Sequence, residues 1–144
     1  TGLRVNFSKK LKLNTQYSII GGTEDNNGID FPVRHVSPSF GNSHLVWDNK
    51  KLKLDFYTIF NNELSFNQLA QSEIEKDFLY ALDSNGNPYS PSWYTINFTT
   101  QYRVNDSTLI TASLENISDQ RYRPYSSGIA APGRNLILSL KYSL

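Results

Sequence analysis

The side chains in residues 133–144, at the carboxyl end of the chain, alternate between two chemical kinds. From Asn135 onwards, every second position is polar apart from Ile137. The positions between them are apolar and would share one face of an extended strand: Leu136, Leu138, Leu140, Tyr142 and Leu144. A period of two predicts a β-strand with one apolar and one polar face. Because every half-buried sheet contains such strands, the recurrence of this pattern is what constrains the fold.

The same alternation recurs along the whole chain and predicts seven strands. They occupy residues 2–8, 11–20, 43–48, 52–60, 93–104, 108–117 and a last strand within 133–144. Most would be about nine to eleven residues long, which exceeds the usual soluble strand and suffices to cross a bilayer at a tilt. The chain is therefore predicted to be all-β, an antiparallel up-and-down meander of about seven strands.

The predicted connections alternate between short and long. Short turns at 9–10, 49–51 and 105–107 would lie at one end of the sheet, and loops at 21–42, 61–91 and 118–133 at the other. Loops of this length exceed ordinary hairpin connections. Within the second loop, residues 72–82 could form a short helix, and residues 83–88 favour a turn.

The composition argues against several classes of function. The net charge of +1 provides no strong basic field for nucleic acid, and the chain has no Cys for a disulfide or a thiolate metal site. No apolar run reaches the roughly 18 residues that a transmembrane helix needs. No catalytic constellation is present, so we expect no enzyme, no bound metal and no cofactor.

Periodicity alone leaves two interpretations of the apolar face. In a soluble β-sandwich this face would be buried, and the long Tyr-containing loops would form a carbohydrate-binding module. In a transmembrane barrel it would meet lipid, and the polar face would line the lumen. One-sided long loops, a meander without crossovers and aromatic residues near both strand ends favour the barrel. These residues are Phe7, Tyr102 and Tyr142 at the short-turn end, and Tyr17, Phe60 and Tyr94 at the long-loop end.

A barrel in lipid must close, because lipid cannot satisfy unpaired backbone groups. Seven is an odd number and bacterial barrels are usually even, so we expect further strands N-terminal to Thr1, consistent with a first residue other than Met. The polar residues predicted to face the lumen suggest a large barrel. They are Asn14, Gln16, Asn97, Gln101, Glu115 and Lys141.

Three segments of the chain carry distinctive motifs. Asn116, Asp119 and Tyr122 form an asparagine–aliphatic–x–aspartate–x–x–tyrosine pattern after the penultimate strand, and Gly133 and Arg134 belong to a proline-glycine-arginine entry into the last strand. Residues 37–41 form a Pro-rich segment before an earlier strand. All three resemble segments of TonB-dependent outer-membrane receptors of the kind common in Bacteroidetes-type bacteria. The terminal spacing resembles the membrane-insertion signal of these receptors, with Leu in place of the usual final Phe. This signal comprises Leu138, Leu140, Tyr142 and Leu144.

The resemblance implies that residues 1–144 are the carboxyl-terminal segment of a barrel of about 22 strands, with the plug domain and earlier strands absent. It implies a location in the outer membrane of a Gram-negative bacterium and uptake of a scarce substrate, such as a siderophore or haem. The implied partners are outer-membrane lipid, the rest of the barrel and the plug, the TonB energising complex through an upstream segment, and the barrel assembly machinery through the last strand. The five residues of the two carboxyl-terminal motifs are expected to shape the last loop.

Substrate contact is expected from residues near the long-loop end. Arginines there could attract an anionic substrate or pair with carboxylates such as Asp119. His35 and His44, both predicted near a loop, could contact haem or be ordinary loop residues. Tyr80, Tyr89 and Trp93 could stack on a ligand or belong to the interfacial belt, which we favour for Trp93. The candidates for substrate contact are Arg34, His35, Tyr89, Arg121 and Arg123.

Overall fold

A computed structural model describes residues 1–143, apart from the side chains of Asn26 and Asp77. This part of the chain forms strands with a short α-helix and two 3-10 turns, at Phe66–Gln68 and Asp77–Leu79. The elements are β1 (Gly2–Asn6), β2 (Leu11–Ser18), β3 (Thr23–Asn26), β4 (Ile29–Pro32), β5 (Phe40–Asp48), β6 (Leu52–Asn61), α1 (Gln71–Ile74), β7 (Ala81–Leu82), β8 (Pro88–Tyr89), β9 (Trp93–Asn105), β10 (Thr108–Glu115) and β11 (Asn135–Tyr142).

The long strands form one antiparallel sheet in the order β1-β2-β5-β6-β9-β10-β11. Each long strand therefore pairs with the next one along the chain, and the predicted seven-stranded meander is confirmed. β1 and β11 occupy the two edges, so the sheet is open. Among residues 1–143, none of the helical segments is both long and apolar enough to cross a membrane.

Side chains fix the short turns between paired strands. The Ser8 hydroxyl accepts hydrogen bonds from the backbone N–H groups of Lys10 and Leu11, at 3.2 and 3.0 Å. Asn49 Oδ1 accepts from Leu52 at 2.7 Å, and Asn105 Oδ1 accepts from Ser107 at 3.0 Å. Ser and Asn favour such turns because their side chains bond to the backbone a few residues on. These turns place the three long loops together at the opposite end of the sheet.

Several predicted boundaries were wrong. β5 was predicted to begin at residue 43 because Gly41 and the preceding Pro38 suggested a loop. It begins instead at Phe40, which pairs with both Ser18 and Asn61. β3 with β4, and β7 with β8, form small hairpins inside the predicted loops. The predicted helix at 72–82 is limited to α1, followed by a 3-10 turn and β7.

The strand register separates the sheet into two faces. On the apolar face, one row contributes a residue from each strand: Val5, Leu13, Leu45, Phe56, Phe98, Leu114 and Leu136. Much of this face is open, since Phe56 is 50% exposed and Leu138 72%. The next row belongs to the polar face and contains Arg4, Asn14, His44, Tyr57 and Asn97.

Buried strand side chains lie on the polar face. Thr95 and Asn97 are each 3% exposed, and Val46 is 4% exposed. The buried apolar cluster lies in the second long loop, where Leu64, Leu69 and Tyr80 pack together. The sheet therefore exposes its apolar side and covers part of its polar side, the reverse of a water-soluble sheet protein.

Candidate functional site

The candidate site lies in the three long loops, which we name L1 (residues 19–39), L2 (62–92) and L3 (116–134). They share one end of the sheet because alternate connections of an antiparallel meander emerge on the same side. Concave surfaces between such loops are where ligands usually bind.

Glu73 of L2 is fully buried and contacts side chains from all three loops. The hydroxyls of Tyr80 and Ser126 both donate to its Oε2, at 2.6 and 3.1 Å. Lys76 Nζ donates to Oε1 at 3.2 Å, and His35 Nδ1 lies 3.7 Å from the same oxygen. One carboxylate therefore links L1, L2 and L3, and we name this group the Glu73 cluster.

The hydrogen bonds of the Glu73 cluster set its protonation state. Burial alone would raise the pKa of Glu73, but the donors Tyr80, Lys76 and Ser126 and the charge of Lys76 together hold it below its ordinary value. Burial and the hydrogen bond to Glu73 raise the pKa of Tyr80 far above its ordinary value. At neutral pH the pair is therefore a carboxylate and a neutral phenol.

A cavity of about 520 Å³ lies between L2 and L3. Arg121 and Arg123 both line it, and the Arg123 Nη1 also donates to the Phe78 carbonyl at 3.4 Å. Trp93 and Tyr122, also in its wall, stack with ring centroids 4.1 Å apart. The two guanidinium groups give this concave surface the chemistry to hold an anion.

The indole of Trp93 has a buried Nε1–H without a hydrogen-bond partner in the described residues. Trp93 shares the polar face with Thr95 and Asn97, because alternate residues of β9 point to the same side. The preferred assignment of Trp93 to the interfacial belt was therefore wrong. The Trp93 ring forms part of the cavity wall, while its Nε1–H is buried.

A second cavity, of about 390 Å³, separates L1 from L2 and is lined by Arg34 together with Glu24 and Glu75. Arg34 therefore lies apart from Arg121 and Arg123. Tyr89 pairs with Ala81 in the β7–β8 hairpin and, in the described chain, lines neither of these two cavities. His35 contacts Glu73 while keeping a side chain that is 63% exposed.

His44 lies within the strand predicted at residues 43–48, but farther from the loop than expected, because β5 begins three residues earlier. His44 is in β5, on the polar face, where its Nδ1 lies 3.1 Å from both carboxylate oxygens of Asp55. Its ring stacks on Tyr57, with centroids 4.8 Å apart and planes at 8°. It is therefore separated from His35. In residues 1–143, no three His, Cys, Asp or Glu side chains lie together as a metal site.

Asn116 connects both ends of L3 with β9. Its side-chain oxygen accepts from the Gln120 N–H at 2.9 Å, and its Nδ2 donates to the carbonyls of Gln120 and Pro132 at 2.9 and 3.2 Å. Its backbone N–H donates to Asn97 Oδ1 at 2.9 Å.

Asp119 lies next to Gly133 and Arg134, the motif at the entry into the last strand. Its Oδ1 accepts the backbone N–H of Arg134 at 2.7 Å, and Arg134 Nε donates to the Ile117 carbonyl at 3.0 Å. A Cβ on Gly133 would lie 2.6 Å from the same Asp119 oxygen, so a larger residue there would displace this carboxylate from the Arg134 N–H. These contacts, with Tyr122 stacked on Trp93, give the expected loop-shaping residues a physical basis, and their role stays a prediction.

The predicted membrane-insertion signal ends the sheet at its outer edge. Leu138, Leu140 and Tyr142 of β11 are highly exposed on the apolar face. Leu144 lies outside the described residues. Its contribution to the signal therefore stays a prediction from the sequence.

The role of Glu73 at the centre of the loop contacts could not be predicted from the sequence. Its partners Tyr80 and Ser126 lie 7 and 53 positions away in the chain. A single Glu in a short amphipathic segment has no spacing signal that could have identified them. Only the folded loops bring these groups together.

No protein-family model matches the chain, and no curated protein matches it. Solved structures match it in fold. Copper transporter OprC matches with a TM-score of 0.78 and 16% sequence identity, and the match covers 99% of this chain and 22% of the OprC chain. The siderophore receptor PiuA from Acinetobacter baumannii matches with a TM-score of 0.61 and 17% sequence identity, and the match covers 98% of this chain and 20% of the PiuA chain. A ferric enterobactin receptor (PfeA) mutant from Pseudomonas aeruginosa matches with a TM-score of 0.64 and 14% sequence identity, and the match covers 98% of this chain and 21% of the PfeA chain.

These neighbours are TonB-dependent receptors, so the resemblance inferred from the sequence motifs is confirmed at the level of fold. The chain spans about a fifth of the length of each. Its seven-stranded sheet matches the barrel part of these receptors.

Proposed function

We propose that this chain is the carboxyl-terminal segment of the β-barrel of an energy-coupled uptake receptor in the outer membrane of a Gram-negative bacterium. The observation that carries the proposal is the exposed apolar face of the meander, with Leu136, Leu138 and Leu140 each more than 60% exposed. In water such a face would need a covering layer. In a bilayer it is the surface that contacts lipid.

The two open edges of the sheet support a larger barrel. β1 and β11 each lack a neighbour on one side. Unpaired backbone groups are costly in lipid, so further strands must pair with these edges in the membrane. We propose that a longer polypeptide supplies those strands and the plug, and that residues 1–144 form the last part of a barrel with about 22 strands.

The loop end is proposed to bind the substrate. The cavity between L2 and L3 is lined by Arg121, Arg123 and the ring of Trp93, which suits an anionic ligand such as a siderophore or haem. Arg34, His35 and Tyr89 remain further candidates for contact as the substrate moves between the loops. The receptor would import this ligand without any covalent step.

The remaining partners are proposed from the same assignment. A segment outside this chain would contact the TonB energising complex. The apolar face would contact outer-membrane lipid, and β11 with Leu144 would be recognised by the barrel assembly machinery.

An immunoblot of isolated outer membranes tests the proposal, using an antibody raised against residues 134–144. We expect a band several times heavier than this 16.4 kDa chain that migrates differently before and after boiling, as folded barrels do. A band in the soluble fraction, at any mass and unaffected by boiling, would contradict it. That result would favour a soluble binding module in which the apolar face is covered by another layer.

A further inference from the structure

Ser126 of L3 belongs both to the wall of the L2–L3 cavity and to the Glu73 cluster. Tyr80 of L2 also lines this cavity and donates to the same carboxylate, but it is only 6% exposed. Ser126 is half-buried. Its hydroxyl is therefore the better placed of the two to contact a ligand in the cavity.

The backbone of Ser126 is strained. Its φ of 55° lies in the left-handed region, which serine seldom adopts. Ser126 is the third residue of a turn that the Ser127 N–H closes by donating to the Pro124 carbonyl at 3.1 Å. A positive φ at this position of a turn usually belongs to Gly or Asn. The chain therefore keeps a hydroxyl where glycine would cost less, and backbone strain of this kind is concentrated at ligand sites and switches.

The Glu73 carboxylate fixes the direction in which the Ser126 hydroxyl can bond. A serine hydroxyl carries one hydrogen and two lone pairs, whereas an ionised carboxylate can only accept. Ser126 donates its one hydrogen to Glu73 Oε2 at 3.1 Å, and Tyr80 donates to the same oxygen at 2.6 Å. Towards a ligand, the Ser126 oxygen can therefore only accept a hydrogen bond.

Other side chains of the cavity wall have the opposite requirement. Arg121 and Arg123 carry guanidinium groups, which can only donate. The stacked rings of Trp93 and Tyr122 offer a surface for a flat part of a ligand. A volume of about 520 Å³ holds one small molecule. A ligand that satisfies the whole wall presents an anionic acceptor to the arginines and an O–H or N–H group to Ser126.

We propose that Ser126, oriented by Glu73, determines the specificity of the L2–L3 cavity by favouring anions that also carry a hydrogen-bond donor over anions that carry none. This inference rests on the proposed function, because it takes the cavity as the substrate site and refines the class of anion bound there. Glu73 is fully buried behind Ser126 and is a positioning residue, which acts through the hydroxyl of Ser126.

Titration of the purified full-length receptor in detergent with two small anions tests the inference. 3-Hydroxybenzoate and 3-fluorobenzoate have the same charge and nearly the same shape, and only the first has an O–H group to donate to Ser126. The native receptor should bind 3-hydroxybenzoate about fivefold more tightly, which is the usual effect of one hydrogen bond. Arg121→Gln combined with Arg123→Gln should weaken the binding of both anions, because both carry the same carboxylate.

Ser126→Gly separates the hydroxyl from the backbone that carries it. Glycine suits the left-handed conformation of this residue, so the variant should fold normally. It removes the acceptor from the cavity wall and should therefore lose the preference for 3-hydroxybenzoate. A preference that persists in this variant would overturn the inference.

Glu73→Gln tests the positioning role with little change of shape. Lys76, which can only donate, should keep the amide oxygen beside it and so turn the amide NH₂ group towards Tyr80 and Ser126. The Ser126 oxygen would then accept from the amide, and its hydrogen would be free to point to the ligand. The preference should therefore disappear or reverse. Glu63→Gln is the matched control, since Glu63 of L2 is exposed and lines neither loop cavity in the described residues.

Three further outcomes would overturn the inference. They are equal affinity of the native receptor for the two anions, binding of neither anion, and an unchanged preference in Glu73→Gln. The heat-modifiable band in isolated outer membranes separates such a failure from failure of the proposed function. If the band is present, only the inference fails, whereas a soluble chain would contradict both.

Discussion

The hydroxyl of Tyr80 donates a 2.6 Å hydrogen bond to Oε2 of the fully buried Glu73. The same oxygen accepts from Ser126 of L3, so the L2 carboxylate connects two loops that are far apart in the chain. A buried carboxylate is tolerated when several hydrogen-bond donors satisfy it. If the carboxylate is removed, each buried donor is left without an acceptor, which costs stability. The Glu73 cluster therefore connects the three loops through one buried group.

Replacing Glu73 with Ala should loosen the loops without preventing barrel formation. The substitution leaves the Tyr80 hydroxyl buried without its acceptor, a cost of about 1–3 kcal/mol. We expect faster cleavage of L2 and L3 by an external protease in intact cells, with an unchanged heat-modifiable band. Glu75→Ala is the matched control, since Glu75 is exposed two positions away. Equal cleavage of both variants would contradict a role for the Glu73 cluster.

The Glu73 cluster should also weaken in acid. The folded pKa of Glu73 lies below its ordinary value of 4.5, so its stabilising contribution is complete above about that pH and is lost as the pH falls through the folded pKa. Loop cleavage by an acid-active protease should therefore increase below pH 4.5 in the native protein. Glu73→Gln should remove this pH dependence. A native profile identical to that of the Gln variant would contradict the prediction.

Asp119→Ala should reduce assembly of the receptor more than its ligand affinity. The change removes the acceptor of the Arg134 N–H, a hydrogen bond worth about 1 kcal/mol, where L3 enters the last strand. Asp119 also adopts a positive φ of 54°, which Asn and Asp tolerate better than Ala does. The yield of heat-modifiable protein should fall for Asp119→Ala and be largely kept for Asp119→Asn. Normal yield with lost ligand binding would contradict it.

Charge at the L2–L3 cavity should control substrate binding. Arg121→Gln combined with Arg123→Gln removes both guanidinium charges from the cavity wall. We expect weaker binding of anionic ferric siderophores or haem by receptor-expressing cells, with normal surface levels of receptor. Arg103→Gln, in β9 at the other end of the sheet, is the control. Unchanged binding across an anionic panel would contradict the assignment of this cavity.

The sheet could be predicted from the sequence because its signal is local. Alternation along a strand such as β11 needs no knowledge of the partner strand, and side-chain turns such as that at Asn49 are equally local. The β3–β4 hairpin and the Glu73 cluster could not be predicted, since they depend on contacts between segments whose patterns are weak. The start of β5 was predicted three residues too late for a related reason, because Gly41 is a residue type that usually indicates a loop, so His44 was expected nearer to the loop than it is.

Gly41→Ala should destabilise the barrel wall at the point where β5 begins. A Cβ on Gly41 would lie 2.6 Å from the ring of Phe60 and would also meet the Gln16 carbonyl, so the ring and the backbone must move apart. Phe60 also stacks on Tyr17, with centroids 6.1 Å apart, and this restricts its ability to yield. Overpacking of this kind costs about 1–3 kcal/mol.

The measurement is the temperature at which the purified full-length protein loses its heat-modifiable band in detergent. Gly41→Ala should lower that temperature, whereas Gly21→Ala should not, because a Cβ on Gly21 meets nothing within 4 Å. The double variant Gly41→Ala with Phe60→Leu should recover part of the loss by vacating the space that the ring occupies. Equal temperatures for the two alanine variants would contradict the contact between Gly41 and Phe60.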